Sequence, residues 1–103
     1  MEGFQKKYLR GLAHSLKPVV LIGQKGLTDD LLKSADQALQ SHELIKVRFN
    51  DFKEKEQKEQ ISRTLEEKTG SELVGSVGHI YIFFRQHEDL EKRRIQLPHR
   101  QTE

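Results

Sequence analysis

The apolar residues of this 103-residue chain recur in short periodic blocks, which predict helices and strands in alternation. The first block has helical spacing and ends before Pro18. Its apolar face consists of Phe4, Tyr8, Leu9, Leu12 and Leu16. Residues 19–22 are then continuously apolar, as in a strand that is covered on both faces. The pattern therefore predicts a first helix that leads directly into a central strand.

A second helix and a second strand follow, and each has one polar face. Thr28 is placed to cap the helix. The apolar face of this helix consists of Leu31, Leu32, Ala35, Ala38 and Leu39. Residues 44–49 alternate between apolar and charged positions. The apolar positions are Ile45, Val47 and Phe49, and the charged ones are Lys46 and Arg48. We therefore expect a strand with one buried face and one charged face.

A polar helix and a hairpin are predicted next. Residues 52–68 are rich in Glu, Lys and Gln, which indicates a solvated helix, and Gly70 supplies its end. Strands are predicted at residues 73–77 and 80–85. The two residues between them, at 78–79, have the length of a hairpin loop.

The order of the elements is α-β-α-β-α-β-β, with no internal repeat. It predicts a single α/β domain in which the helices pack on a four-stranded mixed sheet. Beyond residue 87 the chain is charged and lacks an apolar period. We therefore assign residues 1–86 to the domain and residues 87–103 to a charged C-terminal tail.

Basic residues concentrate in the N-terminal part of the chain. The net charge is only +2, but residues 1–26 contain five Lys or Arg against one acid, whereas residues 51–72 contain seven acids against five bases. On the wheel of the first helix, the positions opposite the apolar face are Lys6, Arg10, His14 and Lys17, with Lys7 at their edge. Such a stripe is ordinarily a solvated face. Here it carries one sign of charge, which favours an anionic partner.

A glycine loop would connect the first strand to the second helix. Gly23, Gln24, Lys25 and Gly26 follow the apolar run and precede Thr28. Glycine lets backbone amides approach a ligand, a helix N-terminus favours negative charge, and Lys25 adds a positive charge. The loop is therefore predicted to be exposed and to bind phosphate.

A second Gly-x-x-Gly sequence, at residues 75–78, is interpreted as structural. It contains no basic residue and begins inside a predicted strand, so a β-bulge and a hairpin turn account for both glycines. Tyr81 and Phe83 could stack on bases if they were exposed, but a terminal strand is expected to place them in the core.

Catalytic, metal and membrane functions find no support in the residues. The chain has no cysteine, its five histidines lie in separate elements, and the glycine loop lacks the spacing of a nucleotide P-loop. No apolar run has the length of a signal peptide or of a membrane span. We therefore expect a cytoplasmic protein that is not an enzyme and that uses no cofactor, metal, membrane or small-molecule substrate.

Several segments of the chain resemble those of a known family. They are residues 9–14 (LRGLAH), 18–28 (PVVLIGQKGLT) and 42–49 (HELIKVRF), the last strand up to Arg85, and the tail at 96–100 (QLPHR). In this order they resemble the CRM domain, the chloroplast RNA splicing and ribosome maturation module, in its bacterial single-domain YhbY type. The resemblance implies a fold like that of the C-terminal domain of translation initiation factor three. It also implies an RNA-binding protein that associates with ribosomal RNA in the precursor of the large ribosomal subunit.

Carried over by position, the resemblance assigns RNA binding to the glycine loop and to the basic residues near it. The loop residues are Gly23, Gln24, Lys25 and Gly26, and the basic neighbours are Lys6, Lys7, Arg10, His14 and Lys17. Lys46 and Arg48, on the charged face of the second strand, complete the candidate set.

The main hypothesis is a ribosome assembly factor that holds the phosphates of RNA and performs no catalysis. The expectation of RNA in preference to DNA rests only on the family resemblance. An interaction module whose basic face binds an acidic protein is the alternative, because acidic side chains offer the same charge as phosphates. A third possibility is an RNA-processing enzyme, which would cleave or modify the RNA it binds.

Overall fold

A four-stranded mixed sheet carries helices on both faces in the computed structural model, which describes residues 1–52 and 54–99. The elements are α1 (Gly3–Ala13), β1 (Pro18–Ile22), α2 (Asp29–His42), β2 (Leu44–Phe49), α3 (Lys55–Thr69), β3 (Glu72–Val77) and β4 (Ile80–Phe84), and then a 3₁₀ turn at Leu90–Lys92. The predicted fold class and element order are confirmed. No helix in the described ranges is both long enough and apolar enough to cross a membrane.

The strands lie in the order β1-β2-β4-β3. β1 and β2 are parallel, with Leu21 opposite Arg48, and α2 forms the crossover between them. β4 is antiparallel to both β2 and β3. The chain therefore places β1 and β3 at the two edges of the sheet.

The edge position of β1 contradicts the prediction of a central strand covered on both faces. Val20 and Ile22 are buried, but Val19 and Leu21 are 51% and 52% exposed. A continuous apolar run has no period, so it does not separate a doubly covered strand from an edge strand with an apolar outer face. The prediction was wrong for this physical reason.

The larger core lies between the sheet and the pair α2 and α3. Its fully buried members are Val20, Ile22, Ala35, Leu39, Ile45, Val47, Phe49, Leu65, Tyr81 and Phe83. The apolar face of α2, the buried face of β2 and the core position of Tyr81 and Phe83 are thus as predicted.

The third helix starts later than predicted and ends where predicted. α3 begins at Lys55, whereas Phe52 packs against the core. Residue 53, which the predicted helix included, lies outside the described residues. Gly70 ends α3 with a φ of 69°, in the left-handed region that favours glycine.

The smaller core lies between the sheet and α1. It consists of Leu9, Ala13, Leu44, Val74, Ile82 and Phe84. Only part of the predicted apolar face of α1 is buried there, because Tyr8, Leu12 and Leu16 remain 43%, 39% and 38% exposed. α1 packs on β2, β3 and β4 and leaves the same side of β1 open.

The hairpin at the second Gly-x-x-Gly sequence has the predicted structural form. The register of β3 against β4 shifts between Leu73 and Gly75, as in a β-bulge. Gly78 has a φ of 58° at the turn, where a side chain would be strained. Both glycines are therefore explained by the backbone.

The C-terminal segment departs most from expectation. We name residues 86–99 the strap. Ile95 and Leu97 pack against the α1-side core, and Gln5 Nε2 donates a hydrogen bond to the Pro98 carbonyl at 3.2 Å. The expectation of a tail without core residues was wrong for this pair, because two apolar residues are too few to show a period. Residues 100–103 of the predicted tail lie outside the described residues.

Candidate nucleic-acid interface

The glycine loop (residues 23–26) connects β1 to the start of α2. Its tip, Gln24 and Lys25, is exposed. The Gly26 N–H donates to the Gly23 carbonyl at 2.9 Å, which closes a turn, and Gly26 has a φ of 71°. The predicted position of the loop, exposed between a strand and a helix N-terminus, is confirmed, although Gly26 itself is buried beside Phe52.

The N-terminus of α2 is capped and carries two acids. Thr28 Oγ1 accepts a hydrogen bond from the Leu31 N–H at 3.2 Å, as the sequence predicts. Asp29 and Asp30 lie exposed in the first turn, where they interact favourably with the helix dipole and repel a second anion. The helix dipole is therefore a weaker attraction for phosphate than the sequence suggested, and Lys25 is the main cationic group of the loop.

The predicted basic stripe is helical only in part, because α1 ends at Ala13, and His14 and Lys17 follow its end. The stripe also divides into paired and unpaired side chains. Lys6 Nζ lies 3.9 Å from Glu72 Oε2, and Arg10 Nη1 donates to the Val74 carbonyl at 2.9 Å. The side chains of Lys7, His14 and Lys17 are exposed and have no protein partner within residues 1–52 and 54–99. The structure thus leaves a smaller free basic surface than the helical wheel predicts.

Arg10 is the stripe residue most closely packed against the sheet. Its aliphatic carbons lie over Gly75, where a Cβ would overlap the Arg10 Cδ. Arg10 is exposed, as expected for the stripe, but its side chain is also held against β3. A substitution there would remove a hydrogen bond and a packing contact together with the charge, so Arg10 is a poor probe of ligand binding.

The two candidates on β2 also differ in their surroundings. Lys46 Nζ donates to the carbonyls of His14 and Leu16, at 3.3 and 3.0 Å, and so supports the C-terminal end of α1. Arg48 is exposed and has no side-chain partner in the described part of the chain. Arg48 is therefore the free cation of this strand.

Exposed apolar and basic residues meet on the side of the sheet that α1 covers only in part. We name Val19, Leu21 and Arg48 the open sheet face; Leu21 and Arg48 are neighbours across β1 and β2. Lys17 precedes β1 and the glycine loop follows it, and a five-residue strand spans roughly 16 Å. The open sheet face thus joins a cation at one end to the loop at the other. Sequence reasoning missed its apolar half.

A buried carboxylate, that of Glu43, holds the strap next to the open sheet face. Glu43 is 1% exposed, and its oxygens accept hydrogen bonds from the N–H groups of His87 (2.7 Å), Arg94 (2.6 Å) and Ile95 (2.9 Å). Burial alone would raise the pKa of the carboxyl, but these donors and the charge of His87 outweigh it and lower the pKa.

Glu43 also adopts an unusual backbone conformation. Its φ is 64°, and no other non-glycine residue in the described ranges has a positive φ. Such a conformation is costly for a side chain with a Cβ and persists where the surroundings enforce it. Sequence reasoning missed this residue, and its only signal was an acid in place of the glycine that commonly ends a helix.

The described residues contain no group of three or more His, Cys, Asp or Glu side chains that could hold a metal ion. Lys17, Lys25 and Arg48 are exposed cations of the candidate interface. They can hold anions by charge and hydrogen bonding.

Comparison with known proteins gives a consistent set of similarities. A family model described as the CRS1 / YhbY (CRM) domain matches residues 1–85. A protein of Haemophilus influenzae named RNA-binding protein is 40% identical over 94 residues, which cover 91% of each chain. YqeI of Bacillus subtilis, named a probable RNA-binding protein, is 34% identical over 98 residues, which cover 95% of this chain and 99% of YqeI. The solution structure of SAV1595 from Staphylococcus aureus, a candidate RNA-binding protein, is 37% identical and matches with a TM-score of 0.78 over 95% of this chain and 99% of its own.

Proposed function

Because the chain belongs to the CRS1 / YhbY (CRM) domain family, we propose that it binds single-stranded RNA along the open sheet face and the glycine loop. One observation carries the proposal. The exposed apolar side chains of β1, Val19 and Leu21, have exposed cations around them: Lys17 precedes the strand, Arg48 lies beside it and Lys25 follows it. No group in the described part of the protein neutralises these cations.

This arrangement suits an unpaired nucleic-acid chain. The phosphates of such a chain require cations at intervals, and its bases require contact with apolar surface. Val19 and Leu21 offer that surface, although they lack the aromatic rings on which bases stack most strongly. The expected binding is therefore salt-dependent and tolerant of sequence.

The candidate residues have different roles in this proposal. In this proposal Lys7, Lys17, Lys25 and Arg48 hold phosphates, and the exposed polar residues Gln24 and His14 add further RNA contacts. Gly23 and Gly26 shape the loop. Lys6, Arg10 and Lys46 are positioning residues, because their side chains already bind protein groups.

The biological target rests on the family resemblance. The relatives described above are named as RNA-binding proteins. We propose that this chain likewise acts on RNA, that its target is ribosomal RNA in the precursor of the large ribosomal subunit, and that it assists assembly in the cytoplasm without catalysing a reaction. Residues 1–86 would form the RNA-binding domain proper.

Replacement of Lys25 by alanine tests the loop. We expect the affinity for RNA to fall about three- to tenfold, since one phosphate contact is lost. The free energy of unfolding should change by less than about 0.5 kcal/mol, because Lys25 is an exposed loop residue. Fluorescence anisotropy with a short unstructured oligoribonucleotide measures the affinity, and thermal melting measures the stability.

Lys33→Ala is the matched control, because Lys33 is an exposed lysine on α2 that lies outside the proposed interface. It should bind RNA as the unmodified protein does. Equal affinities of the Lys25 and Lys33 variants would remove the loop from the RNA site. Preferential binding of an acidic polypeptide, with no affinity for RNA, would favour the interaction module instead.

A further inference from the structure

The strap is a docked element with its own cations. Glu43 fixes it through three backbone N–H groups, and Ile95 and Leu97 fix it through apolar contact. A segment held at these points presents its remaining side chains in defined directions. Its charges are therefore part of the surface of the folded domain.

Three consecutive basic residues lie exposed on the strap. Arg93 Nε donates to the His87 carbonyl at 2.7 Å and so helps to shape the strap itself. The side chains of Lys92 and Arg94 have no partner within residues 1–52 and 54–99. Lys92 and Arg94 thus resemble Lys17 and Lys25 in being exposed cations without a protein counter-charge.

A groove joins the strap to the proposed RNA surface. It has a volume of about 430 Å³ and lies between the C-terminal end of α1, β1 and the strap. Leu12, Leu16 and Val19 contribute apolar walls, whereas Lys17 and Arg94 contribute cations. Val19 belongs to the open sheet face as well, so the groove continues that face away from the glycine loop.

We propose that the strap is a second RNA-contacting element: Lys92 and Arg94 hold phosphates, and the groove between Arg94 and Lys17 receives an unpaired base. This inference rests on the proposed function and extends the RNA surface beyond residues 1–85, the range that the family model matches. The charges of the strap suit phosphate, and the apolar walls suit the faces of a base. Because Val19 belongs to both surfaces, an RNA chain held along β1 can extend into the groove.

Glu43 acts here as a positioning residue. It touches no RNA in this proposal, but it holds the N–H groups of Arg94 and Ile95, which line the groove. Loss of its carboxylate should therefore lower RNA affinity only through the position of the strap. In a Glu43→Ala protein, the further changes at Lys92 and Arg94 should cost much less affinity than they do in the unmodified protein.

The experiment compares Lys92→Gln/Arg94→Gln with Lys33→Gln/Lys68→Gln in the full chain. Both pairs remove two exposed cations, but Lys33 and Lys68 lie on α2 and α3, on the other side of the sheet. With a short unstructured oligoribonucleotide, we expect the strap variant to bind on the order of tenfold more weakly. The slope of log affinity against log salt should become shallower by about 1.4, since each contact to a single strand contributes about 0.7. The control should change affinity by less than about threefold.

The outcomes separate this inference from the function on which it rests. If the strap variant binds RNA like the control while Lys25→Ala still weakens binding, the strap inference is overturned and the proposed function stands. If the unmodified protein binds no RNA, both are overturned. Photocrosslinking with 4-thiouridine RNA supplies a second measurement. Crosslinks at the groove residues 12, 16–17, 19 and 94–95 support a base in the groove, and crosslinks confined to other segments contradict it.

Discussion

Glu43→Ala is expected to lower the free energy of unfolding by about 2–4 kcal/mol, because three backbone N–H groups lose a buried charged acceptor. The strap can detach and so return these N–H groups to water, which sets the upper bound on the loss of unfolding free energy. Detachment should be visible as faster hydrogen exchange at the amides of His87, Arg94 and Ile95. Urea unfolding gives the free energy, and hydrogen exchange followed by NMR identifies the segment that opens.

Glu43→Gly is the matched control for the backbone. It removes the same carboxylate but suits the φ of 64°, so it should be about 1 kcal/mol less destabilising than Glu43→Ala. Both variants should release the strap. Protection of the three amides as strong as in the unmodified protein would show that the carboxylate does not hold the strap.

The same carboxylate makes the strap sensitive to acid. Because the pKa of folded Glu43 is lowered, its stabilising contribution is complete above the ordinary pKa that this carboxyl has in the unfolded chain. That contribution is lost as the pH falls through the lower folded-state pKa. The difference in unfolding free energy between the unmodified protein and Glu43→Ala, measured by urea unfolding, should therefore shrink as the pH falls into the acid range.

Joint replacement of Lys7, Lys17 and Lys25 by glutamine should reduce RNA affinity on the order of 30-fold or more near 0.1 M salt. The three side chains are exposed and lack protein partners in the described part of the chain. If each holds a phosphate of an unpaired strand, the salt slope becomes shallower by about 2. Stability should change little, since no packing or hydrogen bond is lost. Filter binding over a range of salt concentrations measures both affinity and slope.

Lys33→Gln/Arg63→Gln/Lys68→Gln is the matched triple variant, with the same loss of net charge on the exposed faces of α2 and α3. It should retain most of the affinity. An equal loss in both triple variants would mean that RNA responds to the net charge of the protein and not to a defined surface.

The element order could be predicted from the sequence because the local signals agree with the fold. Thr28 and Gly70 mark a helix start and a helix end, and the alternation in β2 separates Ile45, Val47 and Phe49 from Lys46 and Arg48. These signals act within a few residues, so no tertiary contact is needed to interpret them.

The position of β1 and the role of Arg10 could not be predicted in the same way. Whether an apolar strand lies at the centre or at the edge of a sheet depends on which strands pair with it, and a uniform run carries no sign of that. Arg10 lies on α1 together with Lys6 and Lys7, but its side chain packs over Gly75 on β3 and donates to the Val74 carbonyl. That contact joins residues far apart in the sequence.

The strap was missed for a related reason. Its attachment depends on Glu43, which accepts hydrogen bonds from the N–H groups of His87 and Arg94. These residues lie more than 40 positions after Glu43 in the sequence. An acid next to a helix end is common, and nothing local distinguishes one that becomes buried. The candidate RNA surface was thus predicted in its loop and helix parts, whereas its apolar strand face and its C-terminal extension emerged only from the fold.

The proposed RNA surface is tested most directly by NMR on the full chain, which maps the backbone amides that shift when a short unstructured oligoribonucleotide is added. We expect the largest shifts in the glycine loop and at Lys17, Leu21 and Arg48, with little change on the exposed face of α3 around Arg63. Shifts concentrated on the outer faces of α2 and α3, with the loop and the open sheet face unaffected, would contradict the proposed surface.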